Sequence, residues 1–224
     1  MDTTVIVFLA LSAIASGVSL VYLFVIRPKI KNENQTEMLQ AISAAIEART
    51  GRDGEAYAIR NLALKIGNQL GMKKSRLLQL SHTALVCDIG MCAIPYEAVR
   101  SHYSSDLPEE KRSQVERHPE IGASMLSLIK TLNELSELVR CHHASFDGSS
   151  DSYLPAGDEI PIESRILSVS SAFLDAVDNH GSFLARETIL DGSGAAFCPI
   201  IVSALFEVLK TEQINHHREK AIAV

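Results

Sequence analysis

Asp88, His118, His142 and His143 are the residues through which this chain could do chemistry. One carboxylate and three imidazoles offer oxygen and nitrogen donors that suit a divalent transition metal of the zinc, iron or manganese kind. Glu55 and Cys87 are possible additional donors, and a thiolate at Cys87 would favour the softer zinc or iron. Each of these groups also has a plainer reading. A His142-His143 pair can be a polar helix terminus that interacts favourably with the helix dipole, and Asp88 an unpartnered helix-end carboxylate. Cys87 can be a small apolar side chain.

A metal site requires that donors distant in the chain be turned toward one point. The four lie near the ends of segments with helical periodicity, so a helical bundle could turn all of them inward. Met38, Leu39, Ile42, Ala45 and Ile46 mark a first amphipathic helix from Thr36, interrupted by Gly51 and Gly54. Ile59, Leu62, Ala63, Ile66 and Leu70 mark a second, for which Gly71 serves as a left-handed cap. A third, through Leu77, Leu80, Ala84 and Leu85, ends at Gly90. After a polar loop over Tyr103 to Lys111, Ile121, Met125, Leu128 and Ile129 build one helical face, and Leu132, Leu135, Leu138 and Val139 another. Ser145 to Pro161 reads as a long surface loop, of a length that is usually functional or mobile. Pro161 suits the first turn of the next helix, which carries Ile166, Val169, Phe173 and Val177. A last helix runs through Ile200, Ala204, Leu205 and Leu209. No segment alternates as a strand does, so the expected class is all-α.

The N-terminus has a different character. No charged residue interrupts Thr3 to Ile26, a run long enough for a helix to cross a bilayer. Arg27, Lys29 and Lys31 follow at once, and the positive-inside bias then places the remainder in the cytoplasm. The run is too long for a cleaved signal peptide, and its basic residues lie on the wrong flank. The expected organisation is an anchor over 1–27, a juxtamembrane linker over 28–40, a helical domain over 41–212 and a polar tail over 213–224. With 27 acidic against 21 basic residues and no basic stripe interleaved with aromatics, a nucleic-acid groove is excluded. The four cysteines show no paired spacing, which fits a reducing compartment.

Asp88-Ile89-Gly90 with Ile94-Pro95, His118-Pro119-Glu120-Ile121-Gly122, His142-His143 with Asp147-Gly148, Glu159-Ile160-Pro161 and Arg165-Ile166-Leu167 together resemble the HD-GYP family. These are metal-dependent phosphodiesterases of bacterial cyclic di-GMP signalling, within the HD phosphohydrolase superfamily. The likeness covers about Ala41 to Lys210, and Phe197-Cys198-Pro199 is similar to a family Phe-Asp-Pro. It implies an HD-type bundle in which Asp88 bridges metal ions and His118, His142 and His143 hold one of them. It also implies losses. The family's first-helix histidine falls on Glu55, the His of His-Asp on Cys87, the distal aspartate on Ser171 and an active-site lysine on Met91. The Gly-Tyr-Pro would occupy Ser150, Asp151 and Ser152, and the stretch aligned with phosphate-binding cations, Gly181 to Ala185, carries none, although Arg186 lies nearby.

The expectation is therefore a single-pass protein of a bacterial inner membrane with a degenerate HD-GYP-like domain. It would hold one ion if any and act as a binding or regulatory module for a nucleotide ligand or a signalling protein. The alternative is an active metal-dependent phosphohydrolase with a reduced metal site.

Overall fold

The computed structural model describes residues 2–101, 108–150 and 152–222. The chain divides into two compact units, Met1–Ala41 and Ile42–Val224. Helix α1, Thr3–Val21, passes through a π-helical stretch, Tyr22–Ile26, into α2, Arg27–Thr50. This helical stretch is long and apolar enough, by length and composition, to cross a membrane, with a mean hydropathy of 2.3 over its most apolar window. The polar residues Pro28 to Gln35 are helical rather than a connector, and α2 starts well before Thr36. Lys, Glu and Gln are good helix formers. The one breaker, Pro28, lies two residues past the π-helical turns, the kind of local widening that relieves a proline's clash with the preceding turn.

In the second unit the bundle is built from α3 (Glu55–Gln69), α4 (Lys74–Val86), α5 (Tyr96–Ser101), α6 (Glu109–Glu116), α7 (His118–Ser127), α8 (Asn133–Arg140), α9 (Ile162–Asp191) and α10 (Pro199–Ile222). Among the described residues there is no strand, and a single isolated bridge joins Ser193 and Phe197. The class is all-α, as the periodicity predicts. Ile59, Ala63 and Ile66 of α3 share one core with Leu80 and Ala84 of α4, Ile166 and Phe173 of α9 and Ile201 and Leu205 of α10. Burying an aliphatic side chain of this size contributes roughly 1.5–3 kcal/mol, so this core dominates the stability of the bundle. Gly71 takes φ 69° just after α3, the left-handed position that a residue with a Cβ avoids.

Several helix boundaries differ from the sequence reading. α4 stops at Val86, and Ile89–Ala93 form a tighter 3-10 turn before Pro95. The short helix α5 has too few turns to show a period. Of the polar stretch Tyr103 to Lys111, residues 103–107 lie outside the described residues, and α6 already begins at Glu109. Leu128 and Ile129 lie past the end of α7 and are exposed, so they do not extend its packed face. Pro161 sits one residue ahead of α9, which continues past Val177 to Asp191 with a bend at Gly181. The loop before it is surface chain with a 3-10 turn at Gly157–Glu159. Its base is pinned: Phe146 and Asp147 donate backbone hydrogen bonds to the carbonyls of Ala196 and Ala195 at 3.2 and 2.9 Å.

Candidate metal centre

Asp88 leaves α4 two residues past its end and opens the 3-10 turn, where the Met91 amide donates to the Asp88 carbonyl at 2.9 Å. The turn lies directly on the start of α7. A Cβ placed on Gly90 would sit 2.0 Å from the His118 carbonyl oxygen and 2.8 Å from the Gly122 amide nitrogen, so only glycine permits the approach. From the other side Arg49, in the last turn of α2, donates through Nε to the Met91 carbonyl at 3.1 Å and through Nη2 to the Ile94 carbonyl at 2.5 Å. The backbone just beyond Asp88 is thus clamped between a guanidinium and a helix start.

His118 is the first residue of α7, and His142 and His143 follow the C-terminal cap of α8. Candidate ligand atoms of Asp88, His118, His142 and His143 all lie within 4.8 Å of one another. His118 Nε2 is 3.2 Å from Asp88 Oδ1, and His142 Nε2 is 3.8 Å from it. His118 and His142 are buried, His143 is exposed, and the Asp88 side chain is 28% exposed, which gives the cluster a solvent side.

The hydrogen bonds of the two buried rings test whether this set suits a cation. His118 Nδ1 faces the Val115 carbonyl at 2.8 Å and His142 Nδ1 faces the Val139 carbonyl at 2.6 Å. A carbonyl can only accept, so both Nδ1 atoms carry a proton, and the neutral form of each ring then has its lone pair at Nε2. Those two Nε2 atoms stand 3.3 Å apart beside a carboxylate oxygen. Converging acceptors repel one another unless a cation or a proton lies between them. Nδ1–H bonds to backbone carbonyls are the outer support that metal-bound histidines use to fix tautomer and ring orientation. The four residues therefore fit a divalent transition metal, which would supply Lewis-acid polarisation and a solvent-derived nucleophile when bound. Burial alone would raise the Asp88 carboxyl; where no ion is bound and the rings carry a proton at Nε2 as well, their hydrogen bonds and charge outweigh burial and hold the carboxyl well below its ordinary range.

Glu55 and Cys87 lie beside this cluster and outside its four-residue group. Cys87 Sγ is 3.7 Å from Asp88 Oδ2, the carboxylate oxygen other than the one facing the imidazoles. Burial first, then the charges of Asp88 and Glu55, push the Cys87 thiol well up, which leaves it a small apolar side chain in the absence of metal. Glu55 opens α3 and meets Arg52 Nη1 at 2.5 Å. Burial and the Asp88 charge raise its carboxyl to about 8, against the pull of Arg52. Between about 4.5 and 8 the folded chain thus holds a proton that the unfolded chain releases, and stability falls as pH rises through that window. Thermal melts of the chelator-treated chain are expected to show a smaller loss between pH 5.5 and 8.5 in Glu55→Gln than in the parent. Equal losses would remove Glu55 as the source.

Ser171 Oγ donates to the Ser168 carbonyl of its own helix at 3.3 Å. Met91 is 5% exposed and packs with Ile94, Val99 and Val115. Asp151 lies outside the described residues, and the Ser150 hydroxyl accepts from the Ser145 amide. Arg186 rests over the Phe206 ring at 5.8 Å. Arg49, Arg52 and Ser43 are the site neighbours that the sequence did not reveal. They act across the fold, and no local spacing marks them.

An all-α bundle whose helix ends bring three imidazoles and a carboxylate together defines a helical domain with a candidate metal centre. Residues 30–189 match the HD domain family, and the chain belongs to it. It is 26% identical over 187 residues to the 3'3'-cGAMP-specific phosphodiesterase 2 of Vibrio cholerae, covering 78% of this chain and 35% of that protein. It is 30% identical over 145 residues to the cyclic di-GMP phosphodiesterase response regulator RpfG of Xanthomonas campestris, covering 63% and 38%. The chain therefore spans little more than a third of the length of these curated relatives. Among solved structures it shares its fold with a cyclic GMP-AMP specific phosphodiesterase of Vibrio cholerae, at TM-score 0.61 and 17% identity over 79% of this chain and 49% of that one. The fold also matches Bd1817, an HDG"Y"P protein from Bdellovibrio bacteriovorus, at TM-score 0.57 and 13% identity over 80% and 62%.

Proposed function

We propose that this chain is a membrane-anchored, degenerate HD-GYP module. In this reading it keeps one transition metal ion on Asp88, His118, His142 and His143 and serves as a binding or regulatory element in cyclic dinucleotide signalling, with weak or no phosphodiesterase activity. The observation that carries it is the pairing of two buried imidazoles with converging Nε2 atoms at Asp88 Oδ1, set against a second side of Asp88 where Oδ2 meets the Cys87 thiol and no histidine lines the adjoining cavity.

Hydrolysis of a phosphodiester needs a nucleophile and neutralisation of the charge that builds on the transferred phosphoryl group, work that two closely spaced ions share. On this chain Asp88 would orient the ion and the two Nδ1–H bonds would hold the rings. The remaining contributions are missing. Ser171 offers a hydroxyl already bonded within its helix, and Met91 is part of an apolar cluster where an ammonium would be buried unpaired. Each lost electrostatic contribution typically removes a few kcal/mol of transition-state stabilisation. Supplied with manganese or iron, the full chain in detergent is expected to turn over cyclic di-GMP and 3'3'-cGAMP far below about 1 per second, the lower end of ordinary enzymes. Turnover in the ordinary range would instead establish the second reading, an active phosphohydrolase with a reduced site, which the four retained donors favour.

The anchor reading rests on the apolar N-terminal helix and on Arg27, Lys29 and Lys31 directly after it, and it places the domain on the cytoplasmic face of a bacterial inner membrane. A reporter fused to the C-terminus that is active only outside the cytoplasm is expected to stay silent. The surface between Ser145 and Pro161 is where a partner or ligand would dock, being long, polar and continuous with His142-His143. Interactions that survive deletion of its tip would assign docking elsewhere.

A further inference from the structure

We infer that Arg52 withholds Glu55 from the metal centre and so restricts it to a single ion. This rests on the one-ion reading above and adds a cause to it. Arg52 lies in the turn between α2 and α3, with its side chain 17% exposed. It reaches Glu55 Oε1 through Nη1 at 2.5 Å, and through Nη2 it reaches Asp175 Oδ1 at 2.5 Å and Asp178 Oδ2 at 3.7 Å. Asp175 lies one turn beyond Ser171 on α9, so the carboxylate nearest to Ser171 on that helix is engaged by the same guanidinium.

What Arg52 holds back is a donor set with room beside it. Asp88 turns Oδ1 to His118 and His142 and Oδ2 toward Cys87. Glu55, Cys87, Asp88 and Ser43 line one small cavity of about 10 Å³, space for roughly one water or one ion. Ser43 is 1% exposed and its hydroxyl has no hydrogen-bond partner, an orphaned polar atom on the wall of that cavity. Oxygens of Asp88 and of Glu55 once its proton is released, a thiol and a hydroxyl would make an adequate second sphere for a divalent ion. The guanidinium pairs with Glu55 from outside the cavity instead. An always-charged, forked donor that satisfies Glu55 and Asp175 together is displaced by a metal only at the cost of stranding both itself and Asp175.

The test loads the full chain in detergent with manganese(II), removes free ion and counts bound manganese per chain, with electron paramagnetic resonance distinguishing an isolated ion from an exchange-coupled pair. The parent and Arg52→Lys are expected to hold one isolated ion. Arg52→Gln is expected to gain a second, coupled ion, and Arg52→Gln/Glu55→Gln to return to one. Glu55→Gln alone is expected to keep the parent's affinity, a measurement independent of whether the Arg52 variants fold. An Arg52→Gln chain with native helicity and one ion, a parent with a coupled pair, or a tenfold loss of affinity in Glu55→Gln would each overturn the inference while leaving a metal centre in place. A parent that binds no manganese would overturn it together with the one-ion reading.

Discussion

Replacing His118 or His142 with alanine is expected to abolish retention of a transition metal through gel filtration, and Asp88→Asn to do the same. Both rings are buried, with Nδ1 fixed on a carbonyl and Nε2 within 3.3 Å of the other ring's Nε2, so nothing else can turn in to replace either. Loss of an outer-shell partner alone weakens metal affinity by about 10–100-fold, and loss of a buried ligand is expected to exceed that. His143 is exposed, where solvent can take its place, so His143→Ala is expected to be the mildest of the four. Metal titration followed by isothermal calorimetry checks the order. If all four variants bound manganese as the parent does, the cluster would be a polar helix-end network and nothing more.

Gly90→Ala is expected to damage both the fold and the site. The added Cβ would meet the His118 carbonyl oxygen at 2.0 Å and its carbon at 2.8 Å, all rigid backbone at the start of α7. Overpacking commonly costs about 1–3 kcal/mol, and a clash with helix backbone that cannot rotate away belongs at or above the upper end. Relief is available only by parting the 3-10 turn from α7, which carries Asp88 away from His118. Gly122→Ala is the control from the facing side. Its nearest contacts lie at 3.2 Å and include the side-chain methyl groups of Ile89 and Val139, which can give by a few tenths of an ångström. Chemical denaturation and metal affinity measured on both variants should place Gly90→Ala well below Gly122→Ala on each scale. Equal behaviour would mean that the two segments slide freely.

The four donors were legible in the sequence because motif order and helix ends are local properties: His118 precedes an apolar face and His142-His143 closes another. The helical class followed from the same periodicity. The pairings of Arg52 with Asp175 and of Arg49 with the Met91 and Ile94 carbonyls were not legible, because they join residues far apart in the chain and leave no period behind. Leu128 and Ile129 matched a helical stripe by spacing, yet α7 ends at Ser127 and this end of the stripe has no helix under it. Pro28 to Gln35 read as a connector because polarity was taken for irregularity. A helix with polar residues all round keeps its backbone bonds and loses only the amphipathic signature.

The backbone bonds that fasten Phe146 and Asp147 to Ala196 and Ala195 bear on how a visitor would be received beside His142-His143. A segment already shaped at its base surrenders little disorder on contact, and fixing a residue's backbone otherwise costs roughly 1–2 kcal/mol. A partner docking there, as proposed above, would accordingly meet a standing contour, and calorimetry of such an encounter is expected to show a small entropic penalty for a surface of that length.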